Sequence, residues 1–361
     1  MRFFAADRAG FIIFVLTALR FCDTIYGRTD FLGVTDLKIG NARLSHGLML
    51  APMAGFSDRA MRVICREWGA EYSVTEMISA KAVTFGDKKT LTLARIGEDE
   101  GNVALQLFGS EPDVMARAVE IMSQGVAGYA KPIAIDINMG CPVHKIFSNG
   151  EGSALMKSPE LIEKIVRAAR GATDLPVSVK LRLGVDREHI NATECALAAE
   201  SGGAEFIALH GRTKSEMYSG EADLESIKNV KQALQIPLIA NGDIVDADSA
   251  VRALSVTGAD GIMIGRGAVG NPFIFEEIKA KIEGREFKAP SLEERVTTAI
   301  RQLEFAVADK GEAVAIPEAR KQSALYLKGF RGAAAIRAEI NRATTFEEAK
   351  RALLSGIPHG N

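Results

Sequence analysis

The amino-acid sequence predicts an α/β protein in which a (β/α)8 barrel is followed by a small all-α helical domain. Three observations lead there: eight short apolar runs alternate with amphipathic helical stretches from residue 48 onward, their starts fall at a regular spacing, and the patterning turns purely helical near residue 290. Starts roughly 25 to 45 residues apart are what repeated βα units produce, and parallel strands buried on both faces read as apolar runs rather than as strict alternation. An open doubly wound sheet is the rival, but it needs a reversal of strand order that nothing in this alternation marks. The 361 residues suit one barrel of about 250 residues and a smaller partner.

Taken in order, residues 1–34 precede the pattern and are expected to be an N-terminal extension outside the fold. Within them, 11–19 (FIIFVLTAL) is apolar with basic residues on both sides, a length closer to a signal-peptide core than to a membrane span. No persuasive small-residue cleavage site accompanies it and a barrel follows at once, so we read it as an extension. The barrel is expected over 35–285, with strands at 48–53, 73–77, 103–107, 133–138, 177–181, 206–210, 237–241 and 261–264. Between them, 58–68 carries Met61, Ile64 and Cys65 at helical spacing, and 160–169 carries Leu161, Ile162, Ile165 and Val166. The pattern changes over 284–290, and Pro290 precedes Ser291-Leu-Glu-Glu294, which has the form of a capping box. Residues 290–361 are expected to form about four helices, with Val296, Ala299, Ile300, Leu303 and Val307 on one face of the first. Pro317 suits the first turn of the next helix, and Thr344-Thr-Phe-Glu347 has the form of another capping box.

Composition narrows the function classes. Hydrophobic residues at 47% and charged residues at 25% fit a globular protein with a large core rather than a disordered chain. A net charge of -2 argues against indiscriminate coating of nucleic acid, although basic residues concentrate locally. Between 316 and 342, Arg320, Lys321, Lys328, Arg331, Arg337 and Arg342 outnumber Glu318 and Glu339; on charge alone this reads equally as a solvated helix surface. Cys22, Cys65, Cys141 and Cys195 form no C-x-x-C pair, so no disulfide framework or metal site is expected, and a cytoplasmic location fits.

A barrel of this type places its reactive groups at the C-terminal ends of its strands. Those ends read Pro52-Met53-Ala54-Gly55, Gln106, Asp136-Ile-Asn138-Met-Gly-Cys141-Pro142, Lys180 and Arg182, His210-Gly211-Arg212, Asn241-Gly242-Asp243, and Gly265-Arg266-Gly267. Each polar side chain there costs free energy to desolvate without a partner, so their convergence points to an enzyme rim rather than a scaffold. Loops after the last two strands commonly hold a phosphate on bare backbone N–H groups, which assigns that role to 241–243 and 265–266. Lys180 suits a Schiff base, a phosphate contact or a hydrogen bond to a flavin ring, whereas alone it reads as a snorkelling lysine. His210 alone reads as a satisfied core histidine. Cys141 sits between Gly140 and Pro142 in an irregular loop over the mouth, where a thiol meets a substrate, although free cysteines are commonly inert and buried.

The segments APMAGFSDRAMR (51–62), DINMGCPVHKIFSNGEGSALM (136–156), VKLRLG (179–184), HGRTKSEMYSGEADLESI (210–227), IANGDI (239–244) and IGRGAVGNPFIF (264–275) resemble the bacterial tRNA-dihydrouridine synthases, especially their nitrogen-regulation-like branch. The likeness runs from about residue 37 to the end, and NMGCP followed by GSALM is its most specific part. The resemblance implies FMN on the barrel mouth, held by Pro52, Met53, Ala54, Gln106, Lys180, His210, Asn241, Gly242, Asp243, Gly265 and Arg266. It implies Cys141 as catalytic residue, Asn138 and Arg212 addressing the uracil ring, and a tail that holds tRNA through Arg320, Lys321, Lys328 and Arg331. It further implies that NADPH supplies the electrons, that hydride reaches C6 of uracil, and that Cys141 gives a proton to C5. The chain departs from the family's usual start in its first 34 residues, and it reads RKQSALYLK (320–328) where the family often has a basic-His and then aromatic stretch. Two rivals differ in kind: a small-molecule FMN barrel of the dihydroorotate-dehydrogenase or ene-reductase sort, which needs no basic tail, and a tRNA-binding chaperone, which needs no Cys141, Lys180 or Arg266.

Overall fold

The computed structural model describes residues 36–357, so the expected extension at 1–34 and its apolar run at 11–19 lie outside the described residues. A two-stranded antiparallel hairpin comes first, β1 (Leu37–Ile39) and β2 (Ala42–Leu44). The wall then follows as β3 (Leu48–Leu50), β4 (Tyr72–Val74), β5 (Ile78–Ser79), β6 (Val103–Phe108), β7 (Ala134–Asn138), β8 (Val177–Arg182), β9 (Phe206–His210), β10 (Leu238–Asn241) and β11 (Gly261–Ile264). Every neighbouring pair is parallel; β3 joins both β4 and β11, and β4 joins β6, which closes a TIM barrel. The run expected as one strand at 73–77 is split. Glu76 turns its carboxylate to the Gly55 N–H at 2.5 Å, the backbone leaves the wall there, and β5 rejoins the far end of β6 beside Leu107 and Phe108.

Alternation along the strands sorts side chains into two cores. Outward residues such as Leu105, Leu107, Ile135, Ile137, Val177, Val179, Ile207 and Leu209 pack against the surrounding helices. Inward residues near the strand starts, Met49, Tyr72, Ala104, Ala134 and Phe206, cluster with Leu37, Ile39 and Leu44 of the hairpin, which therefore seals the barrel's N-terminal end. The hairpin is absent from the sequence-based expectation because three-residue strands carry too little periodicity to register. The helices expected at 58–68 and 160–169 are present as Arg59–Glu67, capped by Asp58, and Pro159–Gly171.

Four tail helices follow, Leu292–Lys310, Glu312–Ser323, Ala333–Arg342 and Phe346–Leu354, with a 3-10 turn at Ala324–Leu327. The Ser291 and Glu294 capping box forms as expected. Pro317 lies inside its helix rather than in the first turn. Gly311, at a φ of 76°, lets the chain turn directly from one helix into the next, so residues 312–316 wind ahead of the proline. The second capping box is one residue later than expected, pairing Thr345 with Glu348. In that register Phe346, Ala349 and Leu353 all face the tail core, which decides between two otherwise equivalent Thr-Glu spacings.

The tail is joined to the barrel close to the mouth. Phe273 is wedged between Trp68 and Tyr326 with ring centroids 4.5 and 6.4 Å away. Lys310 Nζ lies 2.7 Å from Asp58 Oδ2, Arg301 pairs with Glu67 at 2.7 Å, and Gln322 Nε2 donates to the Phe56 carbonyl at 3.4 Å. The loop after β3 thus serves as both rim and tail support. Among the described residues no helix is long and apolar enough to cross a membrane.

Candidate active site

The same alternation that fills the barrel floor with apolar groups brings polar ones to its upper layer. Gln106, Asp136, Asn138, Ser178, Lys180, Arg182, His210 and Asn241 follow the inward register of β6 to β10. Most of them are tied together. Gln106 Nε2 donates to Asp136 Oδ2 at 2.7 Å, Asn138 Nδ2 donates to Gln106 Oε1 at 3.0 Å, and Lys180 Nζ donates to Asn241 Oδ1 at 3.0 Å. Asn241 Nδ2 in turn donates to the Met263 carbonyl at 2.7 Å.

Asn138 also sets the loop that carries Cys141. Its Oδ1 accepts from the Cys141 N–H at 2.9 Å and from the Gly140 N–H at 3.2 Å. Arg182 grips the other side, donating from Nε to the Gly140 carbonyl at 2.9 Å and from Nη1 to Thr213 and Met217 carbonyls at 2.8 and 3.0 Å. Ser153 Oγ donates to the Cys141 carbonyl at 2.8 Å. Cys141 is 8% exposed, nearly buried in the loop after β7. Burial pushes its thiol pKa up, opposed more weakly by the Val143 N–H and the charges of Arg182 and Lys180, so the sulfur keeps its proton at neutral pH.

Burial also pulls Lys180 down to about 8, with Arg182 adding to the effect and Asp136 and Cys141 opposing it. His210 is driven far below its ordinary value, first by burial and then by Lys180, Arg182, Arg212 and Arg266, and is a neutral imidazole.

On the opposite rim, Gly242 has a φ of 126° and no room for a side chain: a Cβ would stand 2.7 Å from that of Ala222 and 3.1 Å from the His210 ring. Asp243 follows at a φ of 51°, its carboxylate accepting from Arg212 Nη2 at 2.6 Å and the Ala222 N–H at 2.8 Å. Arg266 lies 3.6 Å from the same carboxylate and stacks on Tyr218 at 4.4 Å. The backbone N–H groups of Gly242, Asp243, Gly265 and Arg266 have no protein acceptor among the described residues. Pro52, Met53 and Ala54 complete the rim after β3.

Two placements differ from what the resemblance implied. Arg212 is 1% exposed, and its guanidinium is committed to the Ser219 and Gly220 carbonyls and to Asp243, so it braces the loop after β9. Arg320 donates to the Ala343 carbonyl at 2.8 Å and ties two tail helices together, whereas Lys321, Lys328 and Arg331 are exposed. None of these four makes a hydrogen bond or ion pair with the rim among the described residues.

A sequence model of the family described as dihydrouridine synthase (Dus) matches residues 49–358. The chain belongs to the dihydrouridine synthase family. It is 40% identical over 307 residues to a probable tRNA-dihydrouridine synthase of Rickettsia conorii, covering 84% of this chain and 91% of that protein. It is 40% identical over 306 residues to tRNA-dihydrouridine synthase B of Vibrio vulnificus, covering 84% and 94%. Among solved structures, histamine dehydrogenase from Rhizobium sp. 4-9 superposes with a TM-score of 0.51 at 16% identity, over 77% of this chain and 51% of that one. At that identity the likeness speaks for the barrel alone.

Sequence reasoning left Asp136, Ser178, Arg182 and Tyr218 without roles. The available signal was the two-residue period: Asp136 shares a strand face with Asn138, and Ser178 and Arg182 share one with Lys180. Tyr218, in a loop, carries no periodic signal, yet it stacks between Arg182 and Arg266.

Proposed function

We propose that this dihydrouridine synthase family member binds FMN at the barrel mouth, takes electrons from NADPH, and saturates the C5–C6 bond of uridines in tRNA. The observation that carries the reading is the set of N–H groups at Gly242, Asp243, Gly265 and Arg266 that have no protein acceptor among the described residues. They stand above the last two strands, where barrels commonly hold a phosphate, and Arg266 adds a charge-assisted donor. A planar ring with acceptors would find donors and an apolar surface beside them. Lys180 has three donors and spends one on Asn241, and Pro52, Met53 and Ala54 offer an open wall. When bound, FMN supplies hydride transfer. The chain contributes the rest: a thiol held protonated at Cys141, a neutral His210, and a loop fixed by Asn138 and Arg182. The relatives named tRNA-dihydrouridine synthase support the nucleic-acid substrate.

The purified protein is expected to be yellow and, with NADPH, to add two hydrogens to uridines of an unmodified tRNA transcript, read by mass spectrometry of nuclease digests. A yellow protein that leaves tRNA untouched yet reduces a small conjugated enone instead supports the ene-reductase alternative.

A target base stacked within folded tRNA must be extruded to reach this mouth, so a second surface has to hold the backbone. We assign that to residues 290–361, through exposed Lys321, Lys328 and Arg331. Replacing Lys321, Lys328 and Arg331 with alanine should lower the slope of log affinity against log salt by about 2 to 3, since each phosphate contact contributes about 0.7 to 0.9. Bound flavin should be unchanged. An unaltered slope in filter binding would place the RNA surface elsewhere.

A further inference from the structure

We propose that Asp136, buried inside the barrel, is a positioning residue that sets the orientation of Cys141 through a relay of two side-chain amides. The connection is continuous. Ser178 Oγ donates to Asp136 Oδ1 at 2.6 Å and Gln106 Nε2 to Asp136 Oδ2 at 2.7 Å; Asn138 Nδ2 donates to Gln106 Oε1 at 3.0 Å, and the Cys141 N–H donates to Asn138 Oδ1 at 2.9 Å. Asp136 and Gln106 are each 1% exposed and Asn138 is 8% exposed, so water offers these amides little alternative partnership.

The chemistry of the two ends fixes everything between them. Both Asp136 oxygens accept here, from Ser178 Oγ and Gln106 Nε2, and a backbone N–H only donates. Gln106 must therefore turn its NH2 toward Asp136, which leaves its carbonyl to face Asn138. Asn138 must then turn its own NH2 toward Gln106, which leaves Oδ1 for the Cys141 loop. Flipping either amide would oppose donor to donor or acceptor to acceptor within the chain, and a buried unsatisfied polar group is costly. A carboxylate two residues before Asn138 thus holds both amides, from the far end of the relay, in the orientation that the Cys141 and Gly140 N–H groups require of Asn138 Oδ1. Thr75 Oγ1 holds the Gln106 backbone N–H at 3.0 Å and anchors the middle of the relay to the strand beside it.

The consequence for catalysis rests on the reading of Cys141 as the acid; the relay itself does not. Hydrogen exchange tests it independently of turnover. In Asp136→Leu the Gln106 amide loses its acceptor, and the peptide covering 139–142 should exchange about 10-fold faster or more, the loss of one buried hydrogen bond. Asp136→Asn keeps an acceptor for Gln106 and can donate its new NH2 to Ser178 Oγ, so it should restore protection of that peptide although the charge is gone. Gln106→Met, an apolar chain of similar length, interrupts the relay at its centre and should match Asp136→Leu; it keeps the test available if the leucine variant fails to fold. Peptides covering Phe206–His210 and Gly261–Ile264 report general loosening, which should be absent.

Equal loosening in Asp136→Leu and Asp136→Asn would overturn the proposal, because the charge rather than acceptor polarity would then matter. Unchanged protection at 139–142 in both Asp136→Leu and Gln106→Met would overturn it as well. If the loop loosens as expected while Cys141→Ala still reduces tRNA normally, the relay stands and the acid assignment fails.

Discussion

On the proposed function, Cys141→Ala is expected to keep its flavin and to oxidise NADPH at the wild-type rate, while forming dihydrouridine about 10²- to 10⁴-fold more slowly, the usual contribution of a positioned general acid. Adding hydride at C6 of the uracil leaves charge that a proton at C5 must quench, whereas reducing the flavin requires no acid from this loop. The two half-reactions therefore separate. The structure makes the thiol suitable as an acid in two respects: it lies at the mouth on a loop held from both sides by Asn138 and Arg182, and burial keeps it protonated. Cys195 and Cys65 provide the contrast. Both are wholly buried, Cys195 with its thiol pKa pushed up to about 12, and neither reaches the mouth. Cys195→Ala should trim stability and leave the half-reactions matched to each other. Single-turnover mixing of pre-reduced enzyme with unmodified tRNA isolates the second step. Near-normal flavin reoxidation in Cys141→Ala would remove this residue from the chemistry.

The barrel was legible in the sequence because most wall strands carry apolar residues at buried positions, and eight such runs at βα spacing leave few alternatives. Legibility ended where tertiary contacts outweigh local pattern. The hairpin of β1 and β2 is stabilised by sealing the barrel floor, and the break between β4 and β5 by Glu76 reaching Gly55; neither contact is a neighbour in sequence. Pro317 and the Thr345 cap were misplaced for the same reason, since Gly311 and the burial of Phe346 decide those registers. At the site, the strand ends that the sequence singled out stand together at the mouth. What spacing could not convey was which polar groups are already spent: Arg212 donates to the Ser219 and Gly220 carbonyls and to Asp243, and the Asp243 carboxylate accepts from Arg212 and the Ala222 N–H. Asp136 shows the converse, a charged residue inside an apolar run whose role becomes visible only once β6, β7 and β8 lie side by side.

Arg62→Met is expected to destabilise the protein by about 3 to 5 kcal/mol, the cost of breaking a buried ion pair from one side. Arg62 and Glu100 are 2% and 0% exposed, and Arg62 Nε donates to Glu100 Oε2. The guanidinium also donates to the Ser57 carbonyl at 2.9 Å and the Arg95 carbonyl at 3.0 Å, so it supports from below the loop that carries Met53 and Ala54. Burial already pushes the Glu100 pKa up with Arg62 present, and the arginine is the main influence opposing it. Without Arg62 the folded-state pKa rises further above the unfolded value. Over the window between those two values the native state binds more protons than the unfolded one, so the variant's stability falls as pH rises and its deficit is smaller in acid. Urea titrations at pH 5 and pH 8 should show that order; a deficit equal at both would mean that the buried carboxylate, left with Arg59 Nε at 3.4 Å, is not its source. Arg62→Met combined with Glu100→Leu removes the stranded charge and should recover much of the stability, because apolar replacements of buried pairs are often neutral. The Ser57 carbonyl stays without its donor in both variants. Flavin retention should therefore remain impaired in the double variant even as its urea midpoint returns toward wild type, which separates support of the rim loop from support of the fold.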